Sequence, residues 1–348
     1  MERNVLFARI LLIILCATLT GACFYQLNQS YDPLARYPYA TEKNRATILK
    51  YMDSRDIDYI ISQQIRPSVF MDFIKIPGFN IRLANEYHLA KQTQEESNAY
   101  IVNFVNKYST YFTSNELEDL LTYYTYADLT TFYENDATTT KKLTLQSDPT
   151  NMYLVLNTKT SVYRYQPANL VQVDSIQIQS NVVDDWNEMK EAYSRMWNGE
   201  TLSAVSGYQS YDTINESYMT LENQYGETVL DRFQLPAGQN ETQLGYTIQL
   251  INPQDWIDAC QKNQNEDGTY NYENAIKSLS QSQQNQIVWL EENAYHYGFV
   301  IRYPEDKSDK TKMAYQPFVL RYVGRKAANK MWKDHLSMEE MDFEEYQE

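Results

Sequence analysis

The spacing of apolar residues divides this chain into three regimes. The first is an apolar run from 10 to 25, preceded by Arg3 and Arg9 and followed by polar chain. The second has helical periodicity. In ATILKYMDSRDIDYIISQQ, Ile48, Tyr51, Ile57, Ile60 and Ile61 recur at the spacing of one helix face, which predicts two short helices with Ser54 capping the second. EDLLTYYTYADLTTFYEND repeats the pattern, with Leu49, Tyr51, Asp56 and Ile57 matched at an offset of 72 by Leu121, Tyr123, Asp128 and Leu129. One duplicated helical hairpin is too short for a solenoid. Between the copies, Pro77 and Gly78 break the chain and ESNAYIVNFVNKYS reads as a helix. The third regime mixes the two periods. MYLVLN reads as a strand ending at Asn157, and 186–197 reads as a helix. Leu244, Tyr246, Ile248 and Leu250 alternate with smaller or polar residues, as in a half-buried strand. The segment 252–285 is polar and predicts an edge covering. Ile287, Leu290 and Ala294 share a helix face, Gly298 is placed to end that helix, and 299–303 reads as a strand stopped by Pro304. A last helix and a solvated acidic tail close the chain.

Composition sharpens this picture at a few points. With 43% hydrophobic and 14% aromatic residues the chain has the material for packed cores, and 348 residues suit two domains plus a targeting segment. A formal charge of -16 argues against nucleic acid or an anionic membrane surface as a partner. The 31 tyrosines read first as amphipathic residues of domain surfaces.

The basic residues ahead of the apolar run place the N-terminus in the cytoplasm and the body outside. LTGAC resembles a bacterial lipobox, which makes Cys23 a lipidation candidate, although Thr20 stands where Leu is usual; an uncleaved single-pass anchor is the alternative. Cys16 and Cys23 belong to this segment, so Cys260 is the lone cysteine of the body and reads as a buried thiol.

Two stretches carry candidate chemistry: PAGQNETQLGYTIQL at 236–250 and AYQPFVLRYVG at 314–324. With SGYQSY at 206–211 and WLEENAYHYGFVIRYP at 289–304, they resemble, in order and spacing, the VanY-type D-alanyl-D-alanine carboxypeptidases, whose segments read roughly PGHSEHQTGLAVDI and EPWHFRYVG. The resemblance covers about 152–346 and implies a zinc peptidase fold. On it, the ligand His falls on Thr242, the ligand Asp on Gln249, the second ligand His on Val319 and the catalytic base on Gln316. The Arg that holds the substrate carboxylate falls on Gln209. A catalytic zinc needs about three His, Cys, Asp or Glu ligands, and a carboxamide cannot act as a general base. The chain has three histidines, His88, His296 and His335, and none lies in either stretch.

The expected fold is α+β: a small helical N-terminal domain followed by a mixed α+β domain with a central antiparallel sheet. The expected divisions are 1–27 anchor or lipoprotein signal, 28–44 stalk, 45–136 helical domain, 137–151 linker and 152–348 carboxypeptidase-like domain. The expected function is an inactive relative of the D,D-carboxypeptidases, without zinc, that binds or scaffolds in peptidoglycan metabolism. The expected tether is the cytoplasmic membrane, and the expected partners are stem peptides or a wall enzyme. One alternative is an active peptidase using other zinc ligands, for which three such side chains must converge. Another is a dimerisation module, for which the groove must be filled. The candidate groove comprises Ser206, Tyr208, Gln209, Ser210, Tyr211, Arg302 and Arg321. The competing reading of both arginines is pairing with internal carboxylates.

Overall fold

The computed structural model describes residues 2–29, 32–137 and 142–346; part of the 28–44 stalk and of the 137–151 linker therefore lies outside the described residues. The chain forms two compact units, Met1–Ser114 and Asn115–Glu348.

The first unit opens with helix Glu2–Gln29. Within it Phe7–Leu27, 21 residues, is long and apolar enough to cross a membrane, a composition that also suits a signal sequence. Helices Glu42–Tyr51 and Ser54–Ser62 follow, then Ala84–Thr93 and Asn98–Tyr108. Thr41 and Asn44 form a reciprocal capping box that starts the first pair. The cap of the second helix is Asp53 rather than Ser54: Asp53 is extended, and its carboxylate accepts from the Asp56 N–H at 2.9 Å. Ile48, Ile57 and Ile60 enter a core with Leu34, Phe70 and Ile81. Tyr51, on the apolar face by spacing alone, is 43% exposed, with the Lys50 ammonium over its ring.

The repeat is present as structure. Helices Ser114–Tyr123 and Tyr126–Asn135 start 114 − 42 = 72 and 126 − 54 = 72 residues after the first pair. Thr125 and Asp128 form the capping box at the second hairpin's turn.

The second unit carries three small sheets. β1 (Thr144–Leu145) and β2 (Thr160–Ser161) pair in parallel; β3 (Leu170–Val173) and β4 (Ile176–Gln179) form an antiparallel hairpin. The predicted strand at 152–157 is absent: that segment is a turn and extended chain joined to Thr160 by a single bridge at Asn157. The central sheet is antiparallel, with β7 (Gln316–Tyr322) between β5 (Thr247–Gln249) and β6 (Phe299–Tyr303). All seven residues of β7 are buried, as expected of a middle strand covered on both faces. β5 is shorter than the alternation of 244–250 predicts, because Glu241–Leu244 forms a 3-10 turn before it.

Helices flank this sheet. Gln281–Asn293 continues as the 3-10 turn Ala294–Tyr297, which Gly298 ends with φ of +80°, a value that glycine adopts without strain. A Cβ there would also meet the Tyr322 ring at 2.8 Å. The polar segment 252–285 is not a simple covering. It contains helix Pro253–Lys262, whose Trp256, Ile257 and Cys260 are buried, with Trp256 edge-on to Phe318 at 6.2 Å. The acidic tail is likewise anchored, not solvated. Met338 and Phe343 are buried, Phe343 stacks on Tyr153 at 4.6 Å, and Glu339 bonds Arg302.

Candidate functional site

Two of the quoted stretches meet across β5 and β7, and the third joins them at their edge. Gln249 and Val319 are direct partners in the antiparallel register. Ser206 bridges to Gln249, whose N–H donates to Ser206 O at 2.8 Å, so SGYQSY runs alongside β5. Gly207 is required for this approach, since a Cβ would sit 2.4 Å from Gln177 O. The next residues turn into helix Tyr211–Tyr225, capped by Ser210 through the Thr213 N–H at 3.2 Å.

Thr242 lies in the 3-10 turn before β5 and is 1% exposed. Its Oγ1 is 2.8 Å from Asn240 Oδ1 and 3.4 Å from Gln209 Oε1, and the Gln209 N–H donates to Thr242 O at 3.3 Å. Gln316 opens β7 opposite Tyr303 and is buried, with Nε2 lacking a hydrogen-bond partner. Gln249, Gln316 and Val319 border one cavity of about 10 Å³ with Trp256 and Phe318. That is room for about one water, which would satisfy the stranded Gln316 amide.

The structure therefore brings Gln209 to Thr242, and Gln249 to Gln316 and Val319. What these groups offer is one hydroxyl, three carboxamides and an isopropyl group. None is an anionic or imidazole donor, so the set does not fit zinc. Among the described residues no three His, Cys, Asp or Glu side chains converge as a metal site.

Contrary to the expected groove, Arg302 and Arg321 are buried and do not line an open surface. They are 1% and 0% exposed. Arg302 makes paired hydrogen bonds to Glu241, Nε–Oε2 and Nη2–Oε1 both at 2.9 Å, and reaches Glu339 at 2.8 and 3.2 Å. Arg321 Nε lies 3.7 Å from Glu241 Oε2, while its Nη2 donates to Met152 O at 2.8 Å and Leu154 O at 3.2 Å. Two guanidiniums buried in one place need a carboxylate between them. Burial works against ionisation of Glu241, but Arg302 and Arg321 outweigh it and hold the carboxyl below its usual range. The remaining groove residues, Ser206, Tyr208, Gln209, Ser210 and Tyr211, are half-buried. Tyr211 is enclosed further: its ring meets Tyr163 at 5.6 Å, and Arg164, paired with Asp212, lies over it at 4.5 Å.

Glu241 and Glu339 are the residues that motif reading missed. Glu241 carried a signal, a lone acid inside a stretch whose neighbours are neutral. Glu339 carried none, because its partner lies 37 residues away. Cys260 is fully buried, and burial pushes its thiol up to about 12 although Arg232 pulls the other way.

Comparison with known proteins converges on one family. The profile of VanY, D-alanyl-D-alanine carboxypeptidase, matches residues 175–325, which include β4 to β7. YodJ of Bacillus subtilis strain 168, named as a carboxypeptidase, is 28% identical over 219 residues, 60% of this chain and 73% of that protein. A D-alanyl-D-alanine carboxypeptidase of Enterococcus faecium is 29% identical over 160 residues, 45% of this chain and 43% of its own length. Among solved structures, the LD-carboxypeptidase LdcB is 28% identical, with a TM-score of 0.44 over 57% of this chain and 89% of that one. The zinc-bound D,D-pentapeptidase VanY of the VanB-type cassette is 21% identical, with a TM-score of 0.42 over 56% and 98%. With its motifs in that family's order, residues 175–325 of this chain, which hold the central sheet, match the VanY D-alanyl-D-alanine carboxypeptidase profile.

Proposed function

We propose that this protein is a catalytically inactive D-alanyl-D-alanine carboxypeptidase-like protein of the cell envelope, binding or scaffolding in peptidoglycan metabolism rather than hydrolysing stem peptides. The observation that carries this reading is the side-chain set at the family's functional positions: Thr242, Gln249 and Val319 for the ligands and Gln316 for the base. Without a zinc-bound water of lowered pKa, and without a carboxylate to take its proton, peptide hydrolysis has neither nucleophile nor base. The anchor for a substrate carboxylate is also gone. Gln209 supplies one neutral amide where a guanidinium offers two charge-assisted bonds. Helix Glu2–Gln29 supports a tether to the cytoplasmic membrane, with the chain that follows it outside; Cys23 is exposed on it and remains the lipidation candidate.

The test is D-alanine release from a stem pentapeptide, with zinc supplied and with a chelator. The expected result is no release above the uncatalysed rate in either condition. Chelator-sensitive release would contradict the proposal and support the active-peptidase alternative.

A further inference from the structure

A second cavity, unconnected with the residues above, lies between the end of helix Gln281–Asn293, strand β6 and helix Arg325–Asp334. Its volume is about 700 Å³, and none of Thr242, Gln249, Gln316 and Val319 lines it. That is within the range of small-molecule sites. Leu290, Val300 and Met331 supply an apolar surface, and Trp332 stands at its margin, 48% exposed. The indole is held in place. Tyr295 stacks on it at 4.1 Å and 14°, and its Nε1–H donates to Glu291 O at 3.1 Å.

Charge decides what such a cavity takes. Glu291, Glu305 and Asp306 line it, against one lysine, Lys307, and the imidazole of His335. That lysine is already engaged by Glu340 at 3.0 Å. Among the described residues, none of the three carboxylates is in an ion pair. Glu291 accepts from the Tyr315 hydroxyl, a neutral partner. Burial, with Glu291 and Asp306 nearby, pushes the Glu305 carboxyl up, and the cation next to them is Lys307, which interacts with Asp306 as well as Glu340. An anion would be repelled here. A neutral apolar molecule would leave the carboxylates uncompensated. An ammonium on an apolar stem satisfies both parts of the lining, with the indole π-face as a further attractive group.

We propose that this cavity binds a small organic cation, an ammonium group carried on an apolar stem, held by Glu305, Asp306 and Glu291 with the stem against Leu290, Val300 and Met331 and Trp332 at the margin. The proposal is independent of whether the family site is active.

The test uses the full-length protein and three matched probes, hexylammonium, hexanol and hexanoate, titrated by calorimetry. Hexylammonium binds saturably, and the other two bind at least about fivefold more weakly, the upper end of what a solvent-accessible ion pair supplies. The variant E305Q/D306N, altered at two exposed residues, weakens hexylammonium binding about fivefold or more while its Tm stays unchanged. If that variant folds poorly, a salt series on the wild type gives the same discrimination, because salt screens the ammonium contact and leaves hexanol unaffected. Equal binding of all three probes, absence of saturable hexylammonium binding, or hexylammonium affinity indifferent to both the variant and salt would each overturn the proposal.

Discussion

Thr242, Gln249 and Gln316 keep hydrogen-bonding capacity where the family correspondence places a ligand His, a ligand Asp and the base. As side chains they lack the charge and the zinc affinity of His, Asp and Glu. Each is fitted into its surroundings: Thr242 against Asn240 and Gln209, and Gln249 and Gln316 at the margin of a cavity of about 10 Å³. Cys260 is buried, and with its thiol raised to about 12 it holds almost no thiolate at neutral pH. Iodoacetamide at pH 8 is therefore expected to leave Cys260 unmodified in the native protein and to label it after unfolding in urea. Mass spectrometry of the peptide containing Cys260 reads the result, and native-state labelling would contradict this account. Gly207 gives a second expectation. A methyl group 2.4 Å from Gln177 O forces β4 and the SGYQSY segment apart, so Gly207→Ala lowers stability by about 1–3 kcal/mol, read by urea unfolding.

Among the elements, the buried cluster joins three that are distant in sequence: the 3-10 turn at Glu241, strand β6 at Arg302 and the C-terminal tail at Glu339. Removing one member leaves a buried charge without its partner. Glu241→Ala is accordingly expected to cost about 3–5 kcal/mol in urea unfolding at pH 7. Because the folded-state pKa of Glu241 is lowered, this contribution is present above its ordinary value of 4.5 and is lost as pH falls through the lower folded value. The wild type should thus lose stability below about pH 4.5 more steeply than Glu241→Gln, as thermal melts across pH 3–7 would report; parallel curves would contradict it. The tail adds packing to charge. Phe343 lies on Tyr153 with 8% exposure, and Phe343→Ala is expected to cost about 3 kcal/mol, whereas a solvated tail would tolerate it. These elements also show which features were legible in the sequence. Gly298, the strand stopped by Pro304 and the duplicated hairpin depend on local chemistry and read correctly. Helix Pro253–Lys262 was hidden by its polar surroundings, although Trp256, Ile257 and Cys260 share a helical stripe. The Glu241–Arg302 pair spans 61 residues and depends on β6 folding beside the turn, which no local pattern encodes.

At the scale of the whole molecule, a first unit that opens with a helix able to cross a membrane is followed by a unit holding the stretch that matches the VanY profile. The stretch that matches the VanY profile holds the three-stranded sheet and helices that flank it. Motif spacing is what assigns Thr242, Gln249, Val319 and Gln316 to the proposed functional positions. Whether the arginines were open or buried was not, since that depends on how three distant segments close together. The central claim is that the scaffold persists without its metal. It is tested most directly by loading the purified full-length protein with excess zinc, desalting it and measuring bound zinc per chain by elemental analysis. The account predicts far less than one zinc per chain, unchanged by chelator. One zinc per chain that a chelator removes would contradict it and require a ligand set other than Thr242, Gln249 and Val319.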